Sequence, residues 1–452
     1  MKIGVSKKKN KVNKKILESM RIIEEEKKKI KIEKKNIKNK KKEKRRKFFV
    51  SKILRMDVDK DNYSSKEILT FFSCSFLVGV FSCIVVITIL TGGRNYFKLS
   101  KDLGKFFDVY ETLMDSYYNN IDKEKLVDDA IDGMVSSVGD VYTSYVDTDS
   151  SAEFNELVSG IYEGIGCTIQ NQVDGLKIIE VFDGSPAEKA GLKSDDIILK
   201  VDDMEVTADA TGDMVSNYIK NEANEKILMV ISRGEEEKTL TLKRGKIETP
   251  VVSSITYDKN DKKIGYIAIS LFSSVADKQF EKELKKLEKE NISGLVIDVR
   301  DNNGGYLTSV TNIVNTLLPK GKVIYQVEKD GKRETTKDKT DISRDYPIAI
   351  LTNQNSASAS EILAAAIKES YDKGYVVGTK TYGKGTVQQV KILSDGSMIK
   401  YTVENWLTPK GTWINQNGVE PTDDVLLDSK YWEEPKVEND NQLQKALDLV
   451  SE

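Results

Sequence analysis

Residues 68–90 form an uninterrupted run of 23 residues without a charged side chain, and this run restricts the fold more than any other feature of the chain. At about 1.5 Å per residue it makes roughly 34 Å of helix, enough to cross a hydrocarbon core of about 30 Å. A buried core helix and a cleaved signal peptide are the alternatives. The long basic flank before the run and the poor cleavage sequence at residues 91–94 argue against both. We therefore predict one transmembrane helix at residues 68–90.

The charge of the chain changes sign across this run. Residues 1–66 hold 26 Lys and Arg against 9 Asp and Glu, whereas the remainder holds 44 against 63. A basic N-terminal flank stays in the cytoplasm, so we predict a single-pass protein of the cell membrane whose residues after 93 are extracytoplasmic. Only Cys167 lies beyond the span, which excludes an intrachain disulfide framework there.

The basic tail, residues 1–67, is predicted to be cytoplasmic. Its composition fits a solvated helix, a disordered segment or a strip attracted to anionic lipid. Binding to nucleic acid is the more specific alternative. Two observations argue against it: no aromatic residue precedes Phe48, and the tail adjoins a membrane span. We therefore predict a membrane partner and no nucleic-acid partner.

Residues 94–150 are predicted to form an N-terminal helical region. Its first part has apolar residues at helical spacing, at Leu99, Leu103, Phe106, Phe107, Tyr110 and Leu113. A second helical run covers residues 123–138, after a break at Asn119 and Asn120. We expect these helices to pack on the later part of the chain or on a second copy, as in a homodimer.

Residues 158–247 change to short strands separated by turns and resemble a PDZ domain. In PDZ domains the backbone N–H groups of one loop hold a peptide carboxylate, and the next strand edge accepts the peptide as an added strand. By this resemblance Gly164, Ile165 and Gly166 are the substrate-binding loop, and a helix near residues 214–219 is the other wall of the groove. A PDZ fold without a working groove is the alternative.

The chain contains no histidine, so a serine nucleophile in it needs a base other than imidazole. Two segments bear on this point, Ser-Ala-Ser-Ala-Ser-Glu at residues 356–361 and Tyr-Gly-Lys-Gly at residues 382–385. Alone, the first is typical of a helix N-terminus and the second of a surface turn. Lys384 is nevertheless the leading candidate for the base. Without histidine or clustered cysteines no catalytic zinc is expected, and the lysine lacks the upstream pattern of a phosphate-binding loop.

The region after the PDZ-like segment has an α/β pattern. Residues 264–300 read as strand, helix and strand, which predicts a right-handed parallel crossover. A further unit follows, with a strand at residues 347–352, the serine-rich turn and a helix at residues 360–371. Open α/β folds place reactive groups at such turns, between the carboxyl end of a strand and the start of a helix.

The serine-rich turn therefore predicts one side of an acyl-transfer site. We expect Ser358 to expose its hydroxyl there and Ala359 to turn its N–H toward an oxyanion. Glycines at the end of the neighbouring strand, Gly304 and Gly305, allow a second backbone N–H to reach the same point. Two convergent N–H donors are the electrostatic half of such a site.

Three segments together resemble the carboxyl-terminal processing peptidases. They are Asp-Val-Arg-Asp-Asn-Asn-Gly-Gly at residues 298–305, the serine-rich segment, and Tyr-Gly-Lys-Gly-Thr-Val-Gln-Gln at residues 382–389, and they follow a PDZ domain as in that family. The resemblance covers about residues 100–450. It implies an α/β fold with a crotonase/ClpP-like peptidase core of repeated β-β-α units at residues 248–452 and an inserted PDZ domain.

The resemblance also implies roles for single residues. Ser358 is the nucleophile, Lys384 the general base and Gln388 the residue that orients the lysine. The choice of Ser358 over Ser356 or Ser360 rests on the family alignment alone. Because the base must be unprotonated near neutral pH, we expect Lys384 to be buried and neutral in the competent state. No cofactor is expected.

We therefore predict a membrane-anchored serine endopeptidase that recognises unstructured substrate C-termini through its PDZ domain and cleaves by acyl-enzyme chemistry with a Ser/Lys dyad. The PDZ domain is expected to gate the site by moving on a loose link at residues 248–253. One alternative is a catalytically silent PDZ scaffold of the cell envelope, against which the intact Ser358, Lys384 and Gln388 argue. A second is an acyl-CoA enzyme of the crotonase type, which leaves the PDZ domain and the anchor unexplained.

Overall fold

The computed structural model of the chain describes Lys40 and residues 65–90, 96–173, 175–207, 209–221, 226–342 and 344–452. The chain forms two compact units, residues 1–120 and residues 121–452. The predicted cytoplasmic tail, residues 1–67, lies outside the described residues except for Lys40 and the first three residues of a helix.

The first unit contains two helices in its described part, α1 at Ser65–Leu90 and α2 at Tyr96–Ser116. Residues 69–86 of α1 are long and apolar enough to cross a membrane, and none of them is buried against the rest of the described chain. A signal sequence near an N-terminus meets the same criteria of length and composition. The helix is therefore one candidate span, and its orientation stays a prediction.

The second unit contains the remaining described elements. Its helices are α3 Lys123–Ser136, α4 Thr148–Ser159, α5 Pro186–Lys189, α6 Gly212–Asn221, α7 Ala276–Lys289, α8 Leu307–Asn315, α9 Ala359–Ser370, α10 Ser429–Glu433 and α11 Asn441–Ser451. Its strands are β1 Ser144–Val146, β2 Ile161–Gly164, β3 Cys167–Gln172, β4 Gly175–Val181, β5 Ile197–Val201, β6 Met204–Glu205, β7 Lys226–Arg233, β8 Glu236–Lys243, β9 Gly245–Glu248, β10 Val252–Lys259, β11 Lys262–Ile269, β12 Gly294–Asp298, β13 Val323–Lys329, β14 Lys332–Lys337, β15 Ile348–Thr352, β16 Gly374–Gly378, β17 Thr386–Ile392, β18 Met398–Leu407 and β19 Asp423–Asp424.

The peptidase-like region is built on a six-stranded sheet of order β10-β11-β12-β15-β16-β19. Strand β10 is antiparallel to β11, and the other neighbours are parallel. The strand–helix–strand pattern predicted for residues 264–300 is confirmed as β11, α7 and β12, with β11 and β12 parallel. Every residue of β12 and β15 is buried, as expected for parallel strands covered on both faces.

Helices cover both faces of this sheet. One face packs against α7, α8 and α9 in the largest apolar core. The other face packs against α11, through Leu443, Ala446, Leu447 and Val450. Strands β10 and β11 with α7 form one β-β-α unit. Beyond it single strands alternate with helices, and the hairpin β13–β14 belongs to a second sheet.

The second sheet contains β18 with β1, β13 and β17 as its partners, and β14 beyond β13. Strand β1 lies between the predicted helical runs and α4, where the sequence reading continued in helix. It pairs antiparallel with β18, so that Ser144 faces Lys400 and Val146 faces Met398. The segment before the PDZ-like region thus becomes part of the peptidase-like region.

The PDZ-like region has a sheet of order β3-β4-β5-β7-β8, with β6 paired to β5, and its own apolar core. Strands β2 and β9 pair where the chain enters and leaves this region. The predicted helix near residues 214–219 is confirmed as part of α6, and strands β7 and β8 follow it. Strand β3 is at the edge of its sheet.

The link after the PDZ-like region is tied down in this structure. The N–H groups of Val251 and Val252 both donate to Gln279 Oε1, at 2.9 and 3.2 Å. Gln279 Nε2 in turn donates to the carbonyl oxygen of Thr249 at 2.9 Å. The expectation of a loose link at residues 248–253 is therefore wrong for this conformation, and a movement there has to break these bonds.

Candidate active site

Ser358 is the last residue of the turn that joins β15 to α9. Its backbone has φ 55° and ψ −109°, a left-handed conformation that costs a non-glycine residue about 1–3 kcal/mol. A serine in such a sharp strand-to-helix turn presents its hydroxyl away from the sheet, as in a nucleophile elbow. Ser358 lines a cavity of about 410 Å³, whereas its neighbours on both sides are buried.

The structure separates Ser358 from the two serines beside it. Ser356 is fully buried and its Oγ donates to the carbonyl oxygen of Val299 at 2.7 Å. Ser360 is also fully buried and its Oγ donates to the carbonyl oxygen of Asn302 at 2.8 Å. Both hydroxyls hold the turn together, so Ser358 is the serine of this segment that faces the cavity.

Gly304 and Gly305 lie against the serine turn, and their backbones leave no room for a side chain. A Cβ atom on Gly304 would lie 2.8 Å from Ser358 Cβ, and one on Gly305 would lie 2.3 Å from the carbonyl oxygen of Phe272. Their φ values, 104° and 143°, also favour glycine. The predicted close approach of this backbone to Ser358 is therefore present.

The two glycines differ in the use of their N–H groups. The N–H of Gly304 donates to Asn302 Oδ1 at 2.8 Å. Among the described residues, no acceptor takes the N–H of Gly305 or that of Ala359, which is the first residue of α9. These two N–H groups remain available to an oxyanion beside Ser358. Gly304 contributes by having no side chain, which lets its backbone lie against Ser358.

Asn302 holds the glycine turn and the serine turn together. It is fully buried, and its Nδ2 donates to the carbonyl oxygen of Ile269 at 2.7 Å. Its own carbonyl oxygen accepts from the N–H of Ala357 at 3.0 Å. The sequence analysis assigned no role to Asn302. Its position at the end of a strand, just before two glycines, was the one feature that could have indicated this role.

Glu361 connects the serine turn to the lysine loop. Its fully buried carboxylate accepts four hydrogen bonds of 2.6–2.9 Å, from the N–H groups of Ser358, Gly383 and Lys384 and from Thr381 Oγ1. Burial raises the pKa of Glu361, although the four donors act in the opposite direction. Sequence reasoning missed this role, for which the signal was a glutamate three residues after a turn serine.

Lys384 reaches the same cavity from the loop before β17. Its Nζ lies 5.1 Å from the centre of the Tyr142 ring, in a cation–π contact. Burial lowers the pKa of Lys384 below the usual lysine value, and the nearby ammonium of Lys400 lowers it further, while Glu361 and Asp140 act in the opposite direction. The environment thus makes the ammonium of Lys384 easier to deprotonate than that of an ordinary lysine, and the side chain is half-buried. Whether it is neutral in the competent state stays a prediction.

Gln388 lines the same cavity but is not bonded to the lysine. Its Nε2 donates to Thr386 Oγ1 at 2.9 Å and to Thr402 Oγ1 at 3.3 Å. Within the described part of the chain, no hydrogen bond joins Lys384 Nζ to Ser358 Oγ or to Gln388. The structure brings the three predicted residues into one cavity without connecting them.

The cavity around these residues is mostly apolar. Its walls include Leu307, Ile362, Val387, Met398 and Trp406. Concave, mostly apolar cavities with a few polar groups are typical of ligand sites, and the half-buried Lys384 lies in this one. The described residues contain no cluster of three or more side chains suited to a metal ion.

The predicted peptide-binding loop of the PDZ-like region lies between β2 and β3. Gly164 is the last residue of β2 and pairs with Gly245, so the turn itself consists of Ile165 and Gly166. A Cβ on Gly166 would lie 2.5 Å from Ser185 Cβ, and its φ is 84°. The turn leads into the edge strand β3, whose free side can accept an added strand.

Three family profiles match the chain. Peptidase family S41 matches residues 263–425, the PDZ domain matches residues 164–243, and the N-terminal domain of the activating protease CtpB matches residues 88–150. The matches therefore fall on the peptidase-like region, the PDZ-like region and the segment before them.

Known proteins similar to the chain cover most of it. A probable CtpA-like serine protease of Staphylococcus aureus (strain COL) is 35% identical over 395 residues, which are 84% of this chain and 78% of that protein. The carboxy-terminal processing protease CtpB of Bacillus subtilis (strain 168) is 38% identical over 327 residues, which are 71% of this chain and 67% of that protein. Among solved structures, the photosystem II D1 C-terminal processing protease is 26% identical, with a TM-score of 0.45, and covers 78% of this chain and 92% of its own.

Proposed function

Since the chain belongs to the carboxy-terminal processing proteases of peptidase family S41 and is a serine-type peptidase with a PDZ domain, we propose that it cleaves peptide bonds with a Ser358/Lys384 dyad. The observation that carries this proposal is the convergence of the two residues on one cavity. There the strained turn presents Ser358, two backbone N–H groups are unused, and the environment lowers the pKa of Lys384.

In the acylation step the neutral amine of Lys384 takes the hydroxyl proton of Ser358, and Oγ attacks the carbonyl carbon of the substrate. The resulting oxyanion accepts hydrogen bonds from the N–H groups of Gly305 and Ala359. Lys384 then gives its proton to the leaving amine, the peptide bond breaks, and an acyl-enzyme ester on Ser358 remains.

In the deacylation step a water molecule enters where the amine has left. Lys384 takes one proton from this water, and the hydroxide attacks the ester carbonyl. The tetrahedral intermediate collapses, the ester bond breaks, and the proton passes from Lys384 to Ser358 Oγ. The enzyme returns to its first state, and the one water consumed appears in the new carboxylate and amine termini.

Lys384 has to approach Ser358 before it can act, because the two are not hydrogen-bonded in this conformation. The lysine side chain has four rotatable bonds, and Nζ rests on the Tyr142 ring. We infer that substrate binding draws Nζ from the ring toward Ser358 Oγ and the Gln388 amide. Gln388 would then orient the amine for the transfer.

The PDZ domain is proposed to select the substrate by its C-terminus. The turn of Ile165 and Gly166 and the edge of β3 are placed to hold a terminal carboxylate and an added strand. An unstructured C-terminus fits this mode because it can extend along the edge strand. The catalytic cavity lies in another part of the same unit, so the chain is proposed to be an endopeptidase that binds a tail and cuts before it.

The PDZ domain is also proposed to gate the site. An ion pair of 2.7 Å joins Lys220 on α6 to Glu156 on α4, and α4 also lines the catalytic cavity through Phe154. A peptide seated against α6 can shift this contact and with it the cavity wall. The hydrogen bonds of Gln279 at the link set a cost that peptide binding has to offset.

Three further parts of the proposal concern the whole molecule. Residues 68–90 would anchor the protein in the cell membrane with the catalytic part outside the cytoplasm, in line with the charge asymmetry of the flanks. The helical region at residues 94–150 is proposed to support a homodimer. The sheet with helices on both faces is proposed to be a relative of the crotonase/ClpP core.

The dyad is tested with the full chain in detergent and unstructured peptides that end in apolar residues. The parent is expected to cleave them, and Ser358→Ala and Lys384→Ala are expected to lose the activity. A phosphonate probe for activated serines should label Ser358 in the parent and not in Lys384→Ala, with the site identified by mass spectrometry. Equal cleavage by the parent and either variant, or labelling of Ser356 or Ser360 in place of Ser358, contradicts the dyad.

A further inference from the structure

A segment far from the catalytic motifs in sequence is linked, through Thr402, to the residue proposed to orient the lysine. Asp140 lies in the turn between α3 and β1, and β1 pairs with β18 next to Thr402. This segment precedes the PDZ-like region, whereas Thr402 and Gln388 follow the serine and lysine motifs. On the two paired strands Gln388 is the direct neighbour of Thr402.

Hydrogen bonds connect Asp140 to Gln388 through Thr402. Asp140 Oδ2 accepts from Thr402 Oγ1 at 2.6 Å and from Thr143 Oγ1 at 2.6 Å, and Oδ1 accepts from the N–H of Tyr142 at 3.1 Å. Thr402 Oγ1 in turn accepts from Gln388 Nε2 at 3.3 Å. The chain of contacts therefore ends at the side-chain amide of Gln388.

The Asp140 carboxylate determines which atom donates and which accepts in each of these hydrogen bonds. Burial would raise the pKa of Asp140, but the donors from Thr143, Thr402 and Tyr142 hold it below its usual value, so the group is an ionised acceptor at neutral pH. The single proton of the Thr402 hydroxyl must then point at Asp140. Thr402 Oγ1 can only accept from Gln388, so the amide group beside it must be the NH₂ and not the oxygen.

Both N–H groups of Gln388 are consumed in this arrangement. One bond goes to Thr402 and the other to Thr386 Oγ1, at 2.9 Å. The amide oxygen, Oε1, accepts no hydrogen bond from the described residues, and Gln388 lines the same cavity as Lys384. An oxygen can accept from a lysine amine or ammonium. An NH₂ group there would repel the ammonium, and it would donate to the lone pair that the neutral amine needs as a base.

We propose that Asp140 is a positioning residue for the reaction: through Thr402 it fixes the flip of the Gln388 amide so that Oε1 faces Lys384. This inference rests on the proposed Ser358/Lys384 chemistry. It assigns part of the active-site geometry to the segment before the PDZ domain, which the family S41 profile does not include.

The test removes the Thr402 hydroxyl, which links Asp140 to Gln388, without disturbing strand β18. Thr402→Val keeps a β-branched side chain in β18 and deletes only the hydroxyl, so kcat is expected to fall roughly tenfold with little change in KM. Thr402→Ser keeps the hydroxyl and is expected to stay within about twofold of the parent. Tyr401→Phe is the matched control. It deletes a hydroxyl that donates to Gln389 Oε1 at 3.3 Å, at the next residue pair of the same two strands, and kcat should stay near that of the parent.

A double-mutant cycle separates this role from general damage to the site. Asp140→Asn, whose amide can donate as well as accept, is expected to lower kcat like Thr402→Val. In a Gln388→Ala background neither change should lower kcat further, because the amide that Asp140 and Thr402 orient is then absent. A full additional loss in that background, or parent-like kcat in Thr402→Val, overturns the proposal. Parent-like cleavage by Lys384→Ala would instead show that the dyad itself has failed, and this separate measurement distinguishes that failure from a failure of the Asp140 role.

Discussion

Arg300 and Lys384 are two basic side chains of the same peptidase region that are both withdrawn from water, but one has carboxylate partners and the other has none among the described residues. Arg300 Nη2 lies 2.6 Å from Asp298 Oδ2 and 2.8 Å from Asp440 Oδ2, and its side chain is 13% exposed. Lys384 meets the face of Tyr142 and the like charge of Lys400, and none of the described carboxylates forms an ion pair with it. The first cation is neutralised by its surroundings, and the second is not.

This difference appears in their protonation. Burial would lower the pKa of the Arg300 guanidinium, but the hydrogen bonds and charges of Asp298 and Asp440 raise it above its usual value. For Lys384, burial and the charge of Lys400 outweigh the opposing charges of Glu361 and Asp140, and its pKa is lowered. Asp440 ties the paired cation of Arg300 to the start of α11, whereas the unpaired ammonium of Lys384 loses its proton more readily than that of an ordinary lysine. A basic side chain withdrawn from water can therefore serve stability or chemistry, depending on whether a counter-charge is present.

The largest effect is expected from Lys384→Met, which keeps the length of the side chain and removes the amine. We expect kcat to fall by up to about 10⁴-fold, the upper end of what a general base contributes. The free energy of unfolding should not fall, because no ion pair is broken and an unpaired ammonium no longer has to be buried. Peptide cleavage and thermal unfolding of the full chain measure the two quantities.

Lys391→Met is the control for this change, since Lys391 is an exposed lysine on β17. It should leave both quantities near those of the parent. A large loss of stability in Lys384→Met would show that the lysine is structural, and the contrast with Arg300 would collapse.

Arg300→Met should give the opposite result. It leaves Asp298 and Asp440 buried without a counter-charge, which costs about 3–5 kcal/mol in the free energy of unfolding. The surface pair Arg333–Glu328 offers a matched control: its arginine is 51% exposed, so Arg333→Met should cost about 1 kcal/mol or less. If both substitutions lower the stability of the full chain equally in thermal unfolding, the Arg300 cluster has no special role.

A smaller effect is expected from Lys400→Met, which removes the like charge near Lys384. The charged groups that act on the lysine are Lys400, Glu361 and Asp140. Lys384 works as a base when neutral, so activity rises with pH through its pKa. Because the Lys400 ammonium lowers that pKa, its removal raises it, and the acid side of the kcat–pH profile should move to higher pH. An unchanged profile, or a shift to lower pH, contradicts this electrostatic role.

The sequence predicted the elements whose pattern is local. The apolar runs at residues 264–269, 294–299 and 347–352 are buried strands of one sheet, and the helix after the serine turn begins where expected. The resemblance also named Ser358, Lys384 and Gln388, which line one cavity in the structure, and their roles stay predictions. The strands and the helix were predictable because each depends on neighbours close in the chain.

The parts that were not predicted depend on contacts distant in sequence or on backbone angles. The sequence could not separate Ser358 from Ser356, because the difference is a positive φ and a cavity. It could not find Asp140, whose partner Thr402 is 262 positions away. The link after the PDZ domain looked loose because its bonds to Gln279 come from a helix that follows it.

The base role of Lys384 is tested most directly by an NMR titration of the full chain with ¹³C-labelled lysine, in which the Lys384 signal is identified by its absence from Lys384→Met. We expect a pKa below the ordinary lysine value of about 10.4, and a higher one when Lys400→Met is introduced. A titration of Lys384 at or above the ordinary value in active enzyme would contradict the claim that this lysine is the base.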